Sequence, residues 1–265
     1  MARSLSPTLA SVVEDLELDQ TVVVTAELLR AIVARHQLGT SAKVVAARLR
    51  QAGWLLPTGR RGVWEFAPGA HAGPIGHGDP TLPLQAALAA EPGLPAALAL
   101  ATAAWAHGYA DRVPSTLDIA VPVGARVSAV LARAMAVSTF TSTVGYTTVK
   151  GVPCHRPESV LVHLASSPSA PRSWASTVEW LPDLAAELTA QVLAAELEGR
   201  SRAVSVRAGY LLSGLRPDLA APLRALVGGV VRFGSRTEPL RRHVGSWRVL
   251  DYLLPSDPSA WESVR

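Results

Sequence analysis

The sequence has little of several features that mark common protein classes. It holds one cysteine, Cys154, among 265 residues, which excludes an internal disulfide framework and a zinc site built from several cysteines. Only 17% of the residues are charged and 49% are hydrophobic, so the chain can form a large core and is neither disordered nor a coiled coil. No uncharged run reaches the ~20 apolar residues of a membrane span, and no signal-peptide core follows the first methionine. We therefore predict a soluble, cytoplasmic protein with no membrane partner.

Acidic residues are missing from one long segment. Between Leu28 and Trp64 there is no Asp or Glu. The same segment contains these cations: Arg30, Arg35, Lys43, Arg48, Arg50, Arg60 and Arg61. A segment with charge of one sign suits a partner that carries phosphates. A solvated basic surface would give the same composition, so charge alone leaves both interpretations open.

The first 70 residues show the element order of a winged helix. Apolar spacing predicts a helix over residues 5–16, and the β-branched run at 21–24 favours a short strand. Two helices should follow, at 26–36 and from Thr40 to about residue 52. We expect Thr25 and Thr40 to be their N-caps, and Gly39 to take a positive φ in the turn between them.

A predicted β-hairpin follows the second of these helices. Residues 54–56 and 63–66 are short strand-like runs. The turn between them contains two glycines and carries Arg60 and Arg61 at its tip. Two strands joined by a glycine-containing basic turn are typical of the wing of a winged helix-turn-helix.

The predicted recognition helix has one apolar and one basic face. At 100° per residue, Ala42, Val45, Ala46 and Leu49 form one stripe. The opposite face has small or apolar residues in its centre, which can approach base edges, and cations on both sides, which can reach bases or phosphates. An ordinary surface helix rich in Ala is the alternative. The predicted DNA-contacting residues of this helix and the wing are Thr40, Ser41, Lys43, Val44, Ala47, Arg48, Arg50, Gln51, Arg60 and Arg61.

Proline and glycine are concentrated after the wing. We predict a winged-helix domain at 1–70, a Gly/Pro linker at 71–82 and a larger C-terminal domain at 83–265. In the last of these, helices are predicted at 84–90, 96–107, 157–165, 181–197, 204–212 and 219–226. Strands are predicted at 119–123, 137–149, 230–233 and 249–253. Because strands and helices do not alternate strictly, the predicted fold class is α+β.

Several runs resemble the AbiEi-type antitoxins of bacterial, notably actinobacterial, type IV abortive-infection toxin–antitoxin systems. The similar runs are 21–29, 45–56, 62–68, 103–109, 151–161 and 207–212. Many repressors share a winged helix, so the succession of both parts is the more specific feature. The resemblance implies that the first domain binds double-stranded operator DNA, as inverted repeats, and represses its own operon. It also implies that the second domain neutralises a nucleotidyltransferase-like toxin.

Metal and cofactor motifs are incomplete or missing. His71 and His77 lie in the linker near Asp79, which is too few ligands for a metal site. No phosphate-binding loop, dinucleotide fingerprint, zinc-protease motif or nucleophile elbow occurs in the sequence. We therefore predict no cofactor and no metal.

Two pairs of residues could carry acid–base or thiolate chemistry. His107 and Asp111 would face each other only if a helix continued through Gly108, so we expect His107 to cap carbonyls or pack beside aromatic neighbours. Cys154 and His155 lack an electropositive or oxyanion element nearby, so we expect a structural cysteine in a loop.

A nuclease domain is the enzymatic alternative. It needs carboxylates on adjacent strands and a lysine to hold Mg²⁺. Asp118 precedes a predicted strand and Lys150 ends another, but no acid lies between Ile119 and Lys150. We therefore predict that the protein is not an enzyme.

Two questions stay open from the sequence. A ligand-sensing repressor with an effector pocket in the second domain, and no toxin partner, is the alternative function. A late basic cluster could face an acidic toxin, contact operator DNA or be solvated; it contains Arg232, Arg236, Arg241, Arg242 and Arg248.

Overall fold

A computed structural model of the protein describes residues 5–68 and 78–262. Contacts divide the chain into two compact units. Unit 1 comprises Met1–Leu94 and Val127–Met135, and unit 2 comprises Pro95–Arg126 and Ala136–Arg265. This grouping differs from the boundaries expected near residues 70 and 83, which stay a prediction. Residues 71–77 of the expected linker lie outside the described residues.

The helices and strands alternate irregularly along the chain. The first half contains α1 (Pro7–Leu18), β1 (Val23–Thr25), α2 (Ala26–Arg35), α3 (Ala42–Gln51), β2 (Leu55–Pro57), β3 (Val63–Phe66), α4 (Leu82–Ala90), β4 (Ala97–Leu98), α5 (Leu100–His107), β5 (Asp118–Val121) and α6 (Ala129–Ala134). The second half contains β6 (Ala136–Thr139), β7 (Tyr146–Val149), β8 (Val152–His155), α7 (Pro157–Ser166), α8 (Trp174–Ala186), α9 (Ala190–Leu197), α10 (Arg202–Leu211), α11 (Pro217–Arg224), β9 (Val231–Phe233), β10 (Arg242–Val244) and β11 (Val249–Asp251). None of the helices in the described ranges is long and apolar enough to cross a membrane.

Unit 1 has the element order predicted for a winged helix. The strands β1, β3 and β2 form an antiparallel sheet in that order. The core beneath it is made of large apolar side chains from α1, α2, α3 and β3, including Leu16, Leu29, Ile32, Leu49 and Phe66. We call the hairpin of β2 and β3, with its turn at 58–62, the wing. Gly59 and Gly62 in that turn both have φ of 76°, a conformation that glycine adopts without strain.

The residues that cap α2 and α3 are as predicted in one helix and need a correction in the other. Thr25 caps α2 as predicted, because its Oγ1 accepts a hydrogen bond from the Leu28 amide at 3.1 Å. The cap of α3 is Ser41 and not Thr40, because Ser41 has an extended backbone and its Oγ accepts a hydrogen bond from the Val44 amide at 3.4 Å.

The turn between these helices reverses earlier than expected. Gln37 has the positive φ, 49°, and Gly39 does not. The reason is that α2 ends at Arg35 and the chain must leave the helical path directly after the cap residue His36. Gly39 is therefore an ordinary turn residue.

Unit 2 contains two sheets and most of the helices. The larger sheet has the order β6-β5-β4-β8-β7, with parallel pairs β5–β6 and β4–β8. The smaller has the order β10-β11-β9. Helix α7 is buried along nearly its full length. The predicted α+β class is confirmed.

Several predicted elements of unit 2 need correction. The segment predicted as a helix at 96–107 begins with strand β4, because Ala97 and Leu98 pair with β5 and Leu98 also with β8. This pairing overrides the helix propensity of Ala and Leu. The strand expected at 137–149 is two strands, β6 and β7, and the helix expected at 181–197 is two helices, α8 and α9. Helix α6 and strands β8 and β10 have no counterpart among the predicted elements.

Two buried carboxylates bind neighbouring segments of unit 2 together. Glu196 has no exposed surface and forms an ion pair with Arg200. Its Oε2 also accepts hydrogen bonds from Ser142 Oγ at 2.9 Å, Ser159 Oγ at 3.0 Å, and the amides of Thr143 and Val144 at 3.1 and 3.2 Å. These bonds fix the turn between β6 and β7 to α9.

Asp251 organises the smaller sheet in the same way. It is fully buried, pairs with Arg242 and accepts the Tyr210 hydroxyl at 3.0 Å. The amides of Leu253 and Leu254 bind its other oxygen at 2.9 and 3.0 Å. Tyr210 belongs to the run 207–212 that resembles AbiEi antitoxins, so this run has a structural role.

Candidate DNA-binding groove and antitoxin domain

A groove of about 800 Å³ lies in unit 1 between α3 and the wing. Its charged lining residues are Arg30, Lys43, Arg50, Arg60 and Arg61, and no carboxylate among the described residues lines it. The other lining residues are small or apolar: Ala26, Ser41, Ala42, Ala46, Ala47, Pro57, Gly59, Gly62, Val63 and Trp64. Cations around a floor of small residues are what close approach to a phosphate-bearing duplex requires.

The two faces of α3 are those that the helical angles predict. Val45, Ala46 and Leu49 are buried against the core of unit 1. Lys43, Val44, Ala47, Arg48, Arg50 and Gln51 are exposed, as is Ser41 before the helix. Thr40 is half-buried.

The groove gathers only part of the predicted set. Ser41, Lys43, Ala47, Arg50, Arg60 and Arg61 line it. Thr40, Val44, Arg48 and Gln51 do not. Arg30 and Trp64 also line the groove but were not among the predicted contact residues. Arg30 belongs to the acid-free segment, yet its position depends on how α2 packs against α3, which the sequence does not reveal.

Most cations of the acid-free segment form no ion pair with a described residue. Arg35 is the exception, because its guanidinium lies 3.0 Å from Asp15, which also contacts His36 at 2.8 Å. Within residues 5–68 and 78–262, none of the other six cations of this segment forms an ion pair. Their charge is therefore available to an external anion.

The tip of the wing is held on two sides. Within the turn, Thr58 Oγ1 donates to the Val63 carbonyl at 2.9 Å and accepts from the Arg60 amide. Outside the turn, the Arg60 guanidinium donates to Ser128 Oγ at 2.6 Å. Ser128 is the N-cap of α6. A Cβ placed on Gly59 would lie 3.3 Å from a methyl of Val130, so α6 approaches the wing closely.

The late basic cluster of unit 2 is not one free surface. Arg242 donates to Asp251 and to the carbonyls of Leu254 and Ser256, so it is a structural residue. Arg248 donates to the Gly228 carbonyl at 2.7 Å. The exposed remainder of the cluster is Arg232, Arg236 and Arg241.

A second cleft, of about 830 Å³, lies in unit 2 between the loop 108–116 and α8. Asp118 lies in its wall, and burial raises the pKa of this carboxyl to about 6. Arg172, 3.4 Å away, opposes the rise but does not cancel it. Leu100 also lines the cleft and has a φ of 49°, which is strained for a residue with a bulky side chain.

The residues weighed for acid–base and thiolate chemistry are structural. Gly108 ends α5 with a φ of 89°, as predicted. His107 bonds the His155 carbonyl at 2.8 Å and stacks on Tyr109. Cys154 lies in strand β8 and not in a loop, because it pairs with Leu98 of β4. Its Sγ lies 3.5 Å from His107 Nε2, and burial raises the pKa of its thiol to about 12, which favours the protonated thiol over the reactive thiolate.

The residues weighed for metal chemistry are also not assembled. Asp118 begins β5 and Lys150 follows β7, and these strands are not neighbours in the sheet. Lys150 instead lies over the ring of Trp105, at 4.7 Å from its centroid. The residues of the described ranges include no group of three or more potential metal ligands. His71 and His77 lie outside those ranges.

Comparison with known proteins gives a family-model match and a similar solved structure. Residues 96–214 match the family model described as the AbiEi antitoxin C-terminal domain. The crystal structure of the RV2827C protein from Mycobacterium tuberculosis is similar with a TM-score of 0.78 and 28% sequence identity. The alignment covers 96% of this chain and 94% of that chain. No curated protein matches the chain.

The protein is thus an α+β protein. The resemblance drawn from the sequence is confirmed for one part of the chain: residues 96–214 match the AbiEi antitoxin C-terminal domain. That family is an antitoxin family and not an enzyme family. A match to an antitoxin domain indicates a role in a toxin–antitoxin pair, with a toxin as the kind of partner.

Proposed function

We propose that the protein represses its own operon by binding operator DNA with unit 1 and neutralises a nucleotidyltransferase-like toxin with its AbiEi domain. It acts in the cytoplasm and needs no cofactor for either task. The observation that carries the DNA-binding half is the groove: five cations line it and no carboxylate does.

The geometry of the groove supports a division of labour among its cations. Lys43 and Arg50 project from α3, the helix that would enter the major groove and meet base edges. Arg60 and Arg61 lie on the wing, where they would contact the phosphate backbone or the minor groove. Arg48 and Gln51, exposed on α3 outside the groove, would add contacts to one wall of the major groove.

The DNA-binding half is tested by fluorescence anisotropy with duplex DNA from directly upstream of the gene. A scrambled duplex of the same length is the control probe. Four to six phosphate contacts give a slope of log K against log salt of roughly −4 to −5. Arg61→Ala should weaken binding to both probes and make the slope about one unit shallower. A slope near zero, or no binding at low salt, would overturn the proposal.

The antitoxin half is tested by growth of cells that express a cognate nucleotidyltransferase-like toxin. Full-length protein should restore growth. The full-length double variant Arg50→Ala/Arg61→Ala should restore it equally while no longer binding the upstream DNA. If that variant fails to rescue at equal protein levels, neutralisation acts through DNA and the division between the units is wrong.

A second candidate is a repressor whose affinity for DNA is set by a small molecule. The cleft in unit 2 favours it, since about 830 Å³ is within the size range of small-molecule sites and a buried carboxyl faces it. Purified protein would then carry a stoichiometric ligand, seen by mass spectrometry of the denatured protein. A ligand-free protein that still rescues growth excludes this candidate.

A further inference from the structure

Helix α6 belongs to the DNA-binding unit although it comes from the middle of the chain. It connects β5 and β6, which are parallel neighbours in the larger sheet of unit 2, with Asp118 opposite Ala136. A parallel pair needs a crossover connection, and its helix ordinarily covers the sheet to which it belongs. Here residues 127–135 group with unit 1 instead, where α6 packs against α4.

Helix α6 reaches the wing through two contacts. Val130 lies so close to Gly59 that a Cβ on this glycine would be 3.3 Å from its methyl. Ser128 Oγ accepts a hydrogen bond from the Arg60 guanidinium at 2.6 Å. The bond uses one of the five N–H donors of the guanidinium and leaves the others free for a phosphate. Arg60 lines the groove in this orientation.

We infer that α6 is a positioning element for operator binding: Ser128, with Val130, holds the wing so that Arg60 is fixed in the groove before DNA arrives. The physical gain is pre-organisation. A free arginine loses rotamer freedom when it binds a phosphate, and an arginine that is already ordered loses less. This inference rests on the proposed DNA binding, and it adds a residue far outside the winged-helix segment to that function.

The test is a double-mutant cycle on the affinity of full-length protein for the upstream duplex. Ser128→Gly removes the acceptor of Arg60, while glycine remains a well-tolerated N-cap for α6. We expect Ser128→Gly to weaken binding about threefold to tenfold. In an Arg60→Ala background the same change should have no effect, because Ser128 would act through Arg60 alone.

Controls separate positioning from loss of structure. Ser173→Gly removes another serine N-cap, at α8 in unit 2, and should bind DNA as the wild type does. Circular dichroism should show the same helix content in all variants. Equal losses in both Arg60 backgrounds, or wild-type affinity for Ser128→Gly, would overturn the inference while leaving DNA binding intact. If the wild-type protein binds no upstream DNA, the proposed function itself fails.

Discussion

Two arginines of the groove and two arginines of unit 2 have opposite surroundings. Arg50 and Arg61 in unit 1 are exposed and have no carboxylate partner among the described residues. In unit 2, Arg200 and Arg242 are largely covered and each is paired with a fully buried carboxylate. Charge that is paired and buried holds a fold together, and charge that is exposed and unpaired attracts an external partner. The predictions below test this contrast, from the largest expected effect to the smallest.

Removing the buried carboxylate of Glu196 should damage unit 2 most. Glu196→Ala leaves Arg200 partly buried without its partner and breaks the hydrogen bonds that fix the turn at 142–144. We expect the free energy of unfolding in urea to fall by about 3–5 kcal/mol. Glu198→Ala, an exposed glutamate of the same segment, should change it by less than about 0.5 kcal/mol. Similar losses in the two variants would show that the burial and pairing of Glu196 do not stabilise unit 2.

Removing a groove arginine should change DNA affinity and not stability. Arg50→Ala should weaken binding to the upstream duplex by about 1–3 kcal/mol if Arg50 reads a base. Arg35→Ala is the matched control, because Arg35 belongs to the same acid-free segment but is paired with Asp15. Its loss should leave affinity unchanged. Equal effects of the two changes in anisotropy measurements would mean that affinity follows net charge and not the groove.

The packing beside Asp251 allows little extra volume. A Cβ on Gly209 of α10 would lie 2.6 Å from the ring of Trp247. Gly209→Ala should therefore destabilise the protein by about 1–2 kcal/mol, although alanine is favoured over glycine in a helix by ~1 kcal/mol. Gly245→Ala meets no atom within 4 Å and serves as the control in thermal unfolding. No difference between these variants would show that Trp247 can move aside.

The smallest effect is the pH dependence of stability, which should arise in unit 2. Burial lowers the pKa of His163 to about 3 and that of His155 to about 4. The unfolded chain therefore binds more protons below pH about 6.5, and stability falls as the pH drops towards 4. His163→Leu should make this fall shallower.

The raised pKa of Asp118 has the opposite effect on the pH dependence of stability and provides a second test. Its pKa is raised to about 6, so the folded protein binds the extra proton between pH about 4 and 6, and this term favours folding at acid pH. Asp118→Asn removes the term and should make the loss of stability on acidification steeper. Urea unfolding at pH 5 and pH 7 measures both variants; a change in the same direction for both would contradict these assignments.

Local chemistry predicts unit 1 better than unit 2. The cap at Thr25, the buried stripe of α3 and the hairpin of the wing each depend on residues close in sequence, and the structure has them. Strand β4 escapes prediction because Ala97 and Leu98 favour helices and become a strand only by pairing with distant strands.

Prediction of the candidate site from the sequence has the same limit. Its cations on α3 and the wing follow from the spacing of the sequence, so most of the groove could be predicted. The contact between Arg60 and Ser128 joins residues 68 positions apart, and Arg30 reaches the groove only through the packing of α2 against α3. No periodicity within one segment contains that information.

Residues 127–135 belong to unit 1 although residues of unit 2 flank them in the sequence. This arrangement affects how the gene can be recombined. A single crossover near residue 95 would join the first part of one homologue to the remainder of another. The recombinant would then have the wing of one parent beside α6 of the other, with residues at positions 128 and 130 that did not evolve with that wing. Exchange of unit 1 as a whole therefore requires two further breakpoints, on either side of α6, or compatible residues at these two positions.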